Sequence, residues 1–336
     1  MAEKPINLAL QGGGSHGAFT WGVLDRLLEE PGFEIEGISG TSAGAINAAV
    51  LADGYEKGGA EGAREALGVF WRRIADHAAF SPFRDDWWSV KAFGPSPAAV
   101  WMDWMLRWLS PYQFNPLDYN PLRQVLADSI DFETLRCCRS MQLFISATNV
   151  RTNRLHIFTA DRLSPDVLLA SACLPQFYQA VAIGDEYFWD GGYMGNPVLE
   201  PLVSHCQSRD ILIVQVNPKR RETVPTNSRD IDDRINEITF NASLMREIRS
   251  IAHVTRMLDD MGITGHDYEK AYFHMIDGED YLSGLSAVSK LNAEWTFVNR
   301  LFEWGRERAG QWLETHGGQI GHGSTLDLDN WAPPYD

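Results

Sequence analysis

Three glycine-containing clusters hold residues able to carry out acyl transfer. Gly40-Thr41-Ser42-Ala43-Gly44 is a G-x-S-x-G pentapeptide between a short apolar run and a small-residue helix. Its glycines let the backbone turn sharply out of a strand, displaying the Ser42 hydroxyl as a nucleophile at the strand's C-terminal end. Upstream, Gly12-Gly13-Gly14-Ser15-His16-Gly17 joins the first strand to the first helix. Backbone N–H groups in such a loop, at the positive end of a helix, can bind an anion. In acyl transfer that anion is the oxygen of a tetrahedral intermediate. Downstream lies Asp190-Gly191-Gly192. A carboxylate held beside Ser42 could take its proton as general base. A free aspartate, with a pKa of about 3.9, is a weak base, and partial burial would strengthen it. The serine and aspartate clusters also have plain structural readings, as a buried serine in a tight turn and a turn aspartate ahead of two glycines.

The elements needed to position these groups follow from periodicity. Residues 6–11 read as a buried strand, and from Gly17 the spacing of Ala18, Trp21, Leu24, Leu27 and Leu28 is helical. Residues 33–38 read as a strand, 43–52 as a helix stopped near Gly54, and 62–77 as another helix. Asn120-Pro121 opens a helix with proline in the first turn. Strands are predicted over 141–148, 154–158, 187–189 and 210–216, and a short helix over 165–172. Such alternation implies an α/β fold, a mostly parallel central sheet sandwiched by helices. Beyond Pro225, Ile231, Ile235, Ile238, Leu244, Ile248, Ile251, Val254 and Leu258 recur at helical spacing, as do apolar residues over 289–313. The tail after Gly317 reads as a loop. The expected division is a catalytic domain over 6–205 and, over 206–336, the last core strand plus a helical C-terminal extension. That extension could close the core or form a homo-oligomer interface.

Composition narrows the function classes. The chain has 336 residues, 44% hydrophobic and 22% charged, with a formal net charge of −16. That charge argues against nucleic acid and against electrostatic capture by an anionic membrane surface. The first residues lack an apolar segment followed by a cleavage site, and no apolar run approaches the roughly 18 residues of a spanning helix, so a cytoplasmic protein is expected. Cys137, Cys138, Cys173 and Cys206 lack C-x-x-C spacing and read as reduced thiols.

In the order G-G-G-x-x-G, G-T-S-A-G and D-G-G, the chain resembles the patatin-like phospholipases, lipid acyl hydrolases that use a Ser–Asp dyad without histidine. The resemblance covers roughly residues 6–200. It implies Ser42 as nucleophile, Asp190 as base, Gly12, Gly13 and Gly14 as the oxyanion hole, a lipid or other ester as substrate, and no metal or organic cofactor. Ser171-Ala172-Cys173-Leu174-Pro175 and Asn196-Pro197 also look like family segments. One departure is His16, where the family usually has Arg or Lys. A mostly neutral histidine would contact a substrate phosphate more weakly. His16 is therefore read either as a substrate-binding residue or as a solvated loop residue.

Other readings compete. Gly12-x-Gly14-x-x-Gly17 with Glu36 about 20 residues on matches a dinucleotide fingerprint. Glu36, however, precedes its strand's end, and the serine pentapeptide stands where the ribose-binding acid belongs. His205, His253, His266 and His274 follow Asp190 and would be needed for a Ser-His-Asp triad, yet none sits in a distinctive motif. His316 and Gly321-His322-Gly323 lack metal-site spacing. Trp101, Trp104 and Trp108 share one helical face in the aromatic-rich segment 80–114. They could form a lid that contacts acyl chains or, transiently, a membrane surface; core packing is the alternative. A catalytically silent lipid-binding module and an esterase, thioesterase or polyester hydrolase for non-phospholipid esters also remain open.

Overall fold

A computed structural model describes residues 4–78, 108–262, 270–285 and 287–331. β1 (Lys4–Leu10) leads through the glycine loop into α1 (Gly17–Leu27), and β2 (Phe33–Thr41) turns at Ser42 into α2 (Ala43–Ala78). α3 (Pro111–Phe114), α4 (Pro121–Ser129) and α5 (Phe132–Arg136) precede β3 (Gln142–Asn149) and β4 (Arg154–Thr159). Then come α6 (Pro165–Ser171), β5 (Val181–Ile183), β6 (Glu186–Asp190), α7 (Glu200–His205), β7 (Asp210–Gln215) and α8 (Ser228–Asp260). β8 (Tyr272–Asp277), α9 (Glu279–Leu282), α10 (Trp295–His316) and α11 (Leu328–Trp331) follow.

The sheet order is β5-β6-β3-β2-β1-β7-β8, with β4 also paired to β3. The strands β3-β2-β1-β7-β8 are parallel, whereas β4, β6 and β5 pair antiparallel at one side. From β1 the chain steps outward through β2 to β3, then returns to build β7 and β8 on the other flank. Strand order therefore reverses between β1 and β7, and the crevice beyond their carboxyl ends is where open α/β sheets hold ligands.

Alternation of side chains along the parallel strands splits the core between the sheet's two faces. Leu8, Leu10, Leu212 and Val214 join the larger cluster with residues of α1, α2, α6 and α10. Ala9, Ile211 and Ile213 face the other way, with Leu202 of α7 and Leu244 and Ile248 of α8. α10 packs so closely on α1 that a Cβ on Gly22 would meet the Phe302 carbonyl, and one on Gly305 the Phe19 carbonyl. This part of the extension closes the core.

Four expectations are corrected. Asp210–Gln215 is not the last core strand, since β8 lies beyond it. The helix from Ala43 does not stop at Gly54; the break lies at Gly58 and Gly59, both outside helical φ/ψ. Of the apolar stripe on α8, Leu244 and Ile248 are buried as expected, but Ile231, Ile235, Ile238 and Val254 are exposed, and Glu237, Phe240, Asn241 and Ala252 complete the buried face. The tail holds the short helix α11, and Trp331 packs on the second cluster. No helix among the described residues is long and apolar enough to cross a membrane.

Candidate active site

Ser42 occupies the junction of β2 and α2 with φ 55°, the left-handed region that an L-residue enters at a cost of roughly 1–2 kcal/mol. The surroundings enforce this conformation. Ser42 N–H donates to Ser171 Oγ at 2.9 Å, and its carbonyl accepts from Ile46 N–H at 3.1 Å. Next to it, Thr41 Oγ1 donates to the Gly195 carbonyl at 2.8 Å and lies 2.6 Å from Ser146 Oγ. These contacts tie the end of β2 to β3 and to the segment after Asp190.

Asp190 ends β6, where it sits opposite Ala147 of β3. Its N–H donates to the Cys173 carbonyl at 2.8 Å, and its carbonyl accepts from Thr148 Oγ1 at 2.8 Å. The carboxylate is buried, and Oδ1 accepts from Gly192 N–H at 2.7 Å. Oδ2 completes no hydrogen bond among the described residues. Burial pushes the pKa of Asp190 up to about 7, against the opposing pull of Gly192 N–H, the nearby Ser42 hydroxyl and the Lys290 ammonium. A carboxylate near pKa 7 is half ionised at neutral pH and well matched to general-base work.

The glycine loop lies against the serine. A Cβ on Gly12 would fall 2.6 Å from Ser42 Cβ, and Gly14 has φ +57°, so neither position accepts a side chain without strain. The amides of the loop are not equivalent. Gly12 N–H donates to Asn196 Oδ1 at 2.6 Å, so in this structure it is not available to an oxyanion, which corrects the expectation for Gly12. Gly13 and Gly14 N–H have no such partner among the described residues. Their peptide units are anchored by the opposite ends: the Gly12 carbonyl accepts from Asn217 Nδ2 at 2.7 Å, and the Gly13 carbonyl from His16 N–H at 3.2 Å. In a planar trans peptide the N–H points away from the carbonyl, so fastening one end aims the other.

His16 is not solvated. It is buried in the turn Gly14–His16, its Nε2 lies 2.7 Å from Ser289 Oγ, and its ring tilts against Phe297. Burial, with Lys290 and Arg221 adding to it, lowers its pKa to about 3, so the ring is neutral at pH 7. The reading of His16 as a solvated loop residue is corrected by this burial; Nε2 is engaged by Ser289, and Nδ1 completes no hydrogen bond among the described residues. Trp108 is 73% exposed, which sets it apart from core packing. Trp101 and Trp104, the rest of the candidate lid before Trp108, and His266 lie outside the described residues.

The rival motifs find structural uses. Both Glu36 carboxylate oxygens accept from backbone amides, Oε1 from Gln207 N–H and Oε2 from Ser208 N–H, each at 2.6 Å. His274 pairs with Asp210 at 2.8 Å and Thr325 at 2.9 Å, His205 contacts the Pro201 carbonyl, and His253 is exposed on α8. The four cysteines are free, and burial pushes Cys173 and Cys206 up to about 12.

Sequence reading missed the polar cradle beneath the loop. Gln11 Oε1 accepts from Val216 N–H at 2.9 Å and Asn217 N–H at 2.8 Å, and Gln11 Nε2 donates to Asn241 Oδ1 at 2.9 Å. A usable signal was present: Asn196-Pro197 and Asn217-Pro218 each place an asparagine at the end of a rigid step, and both turn out to hold Gly12.

The family model described as patatin-like phospholipase matches residues 8–203. Among solved structures, VipD from Legionella pneumophila aligns at 14% identity and TM-score 0.41, covering 93% of this chain and 67% of its own. The ExoU–SpcU heterodimeric complex from the type III secretion system of Pseudomonas aeruginosa aligns at 15% identity and TM-score 0.42, covering 99% of this chain and 58% of the matched chain. The chain thus spans less than two thirds of that second structure. Curated proteins give no match. With more than half of its residues inside the family match, the chain belongs to the patatin-like phospholipase family.

Proposed function

We propose that the protein hydrolyses carboxylic esters of lipids through an acyl-Ser42 intermediate, with Asp190 as the general base. The reading is supported by the buried Asp190 carboxylate, which interacts with the hydroxyl of a serine held at φ 55° and whose Oδ2 completes no hydrogen bond among the described residues. Ser42 Oγ attacks the ester carbonyl carbon while its proton passes to Asp190 Oδ2. The oxyanion is received by Gly13 and Gly14 N–H, each such donor being worth a few kcal/mol. Collapse of the intermediate expels the alcohol, which takes the proton back from Asp190 and leaves the acyl group on Ser42. Water then attacks the acyl carbon, giving a proton to Asp190; the bond to Ser42 Oγ breaks, Oγ takes that proton back, and the acid is released.

One observation favours a second reading, a non-phospholipid ester. His16 is neutral and buried, so the motif position that could meet a phosphate carries no charge. A panel of phospholipid, neutral glyceride, thioester and simple p-nitrophenyl esters separates the two substrate classes. Ser42→Ala and Asp190→Asn are each expected to abolish hydrolysis while leaving the circular dichroism spectrum unchanged. A fluorophosphonate is expected to label Ser42 in the wild type. Full activity in either variant refutes the assignment, and absence of labelling points to a silent lipid-binding module.

A further inference from the structure

Lys290 comes from the far end of the chain, in the short 3₁₀ segment Ala287–Leu291, and lodges against the glycine loop. Its carbonyl oxygen is what a Cβ on Gly14 would strike. Its half-buried side chain carries Nζ to Asn217 Oδ1 at 2.6 Å, and Asn217 Nδ2 donates to the Gly12 carbonyl at 2.7 Å. The Gly12 carbonyl and the Gly13 N–H belong to one peptide unit. A cation pulling on that carbonyl through an amide therefore both orients and polarises the Gly13 donor, since hydrogen bonds in a chain strengthen one another. Nζ also lies 6.0 Å from the Phe240 ring, and that ring packs on Gly192, next to Asp190.

We propose that Lys290 is a positioning residue for ester hydrolysis: through Asn217 it fixes the Gly12–Gly13 peptide so that Gly13 N–H is presented to the oxyanion, and it supplies the site's fixed positive charge. The proposal rests on the Ser42–Asp190 reading. It gives the anchoring of His16 a reason, because Ser289, the residue before Lys290, holds that ring and secures the same segment to the loop. The charge is balanced on all sides. Lys290 is faced by Glu237, Asp233 and Asp190 as opposite charges and by Arg221 as a like charge, and burial lowers its pKa. Asp190 is faced by Lys290 and lies near Cys173 and Tyr193, both of which are neutral at pH 7.

The test uses the full chain and a soluble p-nitrophenyl ester. Ser42→Ala is the control for the underlying reading; if it keeps full activity that reading fails, whatever Lys290 does. With the control inactive, Lys290→Met is expected to lower kcat about 10- to 100-fold with KM little changed, as for a lost oxyanion interaction. It is also expected to move the midpoint of the pH–kcat/KM profile upwards, because the cation favouring ionised Asp190 is gone. Lys290→Arg should recover most of kcat and the wild-type midpoint. Asn217→Ala cuts the relay but keeps the charge, so kcat should fall without a shift in midpoint. Wild-type kcat and midpoint in Lys290→Met overturn the proposal, as do equal losses in Lys290→Arg and Lys290→Met. Should Lys290→Met fail to fold, Asn217→Ala carries the test, and wild-type kcat there overturns the relay.

Discussion

Replacing Asp190 by Asn separates the function of the buried carboxylate from its thermodynamic cost. The variant keeps the oxygen that accepts Gly192 N–H, puts an uncharged NH2 in place of Oδ2 and removes the ionisable character. In the folded chain the Asp190 pKa stands at about 7 against an ordinary 3.8. Between those two pH values the unfolded chain has released the proton and the folded chain still holds it, so wild-type stability falls as pH rises. The loss is complete above pH 7. A difference of about three in pKa at about 1.4 kcal/mol each sets a ceiling of about 4 kcal/mol. At this chain length that corresponds to a rise in Tm of about 5 °C for Asp190→Asn over wild type at pH 8.5. The gain should vanish at pH 4, where wild-type Asp190 is protonated anyway in the fold. Glu247, pushed up to about 7 by burial, and His16, held near 3, also tilt the wild-type curve. Both are present in the variant, so the difference between the two curves isolates Asp190. Differential scanning calorimetry from pH 4 to 8.5, with ester hydrolysis on the same samples, is the assay. Inactivity together with a pH-dependent gain is expected. A constant difference in Tm across the range would refute the claim that burial has raised this carboxylate.

Further outcomes follow from the same geometry. The kcat/KM of the wild type should rise with pH through a midpoint of about 7 and stay level above it, since the base works only when ionised; a midpoint below 5 contradicts Asp190 as base. Ser42→Gly should be more stable to urea than Ser42→Ala by about 1 kcal/mol, because φ 55° costs glycine nothing; equal midpoints would show that no strain is stored there. Asn196→Ala leaves the buried Gly12 N–H without its acceptor and should cost about 1–3 kcal/mol in equilibrium unfolding. Iodoacetamide at pH 8, followed by mass spectrometry, should modify exposed Cys137 well before Cys173 or Cys206, whose thiols are held near pKa 12.

The parts of this molecule legible in its sequence are those encoded locally. β1, the glycine loop and α1 form one contiguous signal, as do β2, Ser42 and the start of α2, and the parallel sheet follows from their alternation. β8 escaped notice because His274 interrupts its apolar run, and that buried ring is satisfied by Asp210, 64 residues away, and Thr325, 51 residues away. The buried face of α8 is legible at Leu244 and Ile248 but not toward its start, for a similar reason. Glu237 lies inward, compensated by Arg221 and Arg234, whereas Ile235 and Ile238 point outward. His16 looked solvated because its partner, Ser289, is 273 residues distant. Gly12 looked like an oxyanion donor because nothing near it in sequence announces Asn196. In each case the missing information is a polar contact across the fold, to which hydrophobic periodicity is blind.

The absence of histidine from the proposed dyad has an electrostatic consequence that links these long-range contacts. A histidine base starts neutral and becomes a cation as the oxyanion forms, so it supplies a counter-charge at the moment one is needed. Asp190 starts as an anion and becomes neutral, and the negative charge simply moves from its carboxylate to the substrate oxygen. The site is therefore anionic at every stage, and desolvation alone would make it hostile to the charge it must hold. Fixed donors and a fixed cation have to take the place of the imidazolium. In the proposed mechanism Gly13 and Gly14 N–H, whose peptide units are held by Asn217 and His16 N–H, take the first task, and Lys290 takes the second. This accounts for why the C-terminal segment is wedged against the glycine loop, beyond the boundary of the family match at residue 203. The same cation opposes the rise that burial imposes on Asp190, so the group proposed to meet the oxyanion also favours the ionised form of the base.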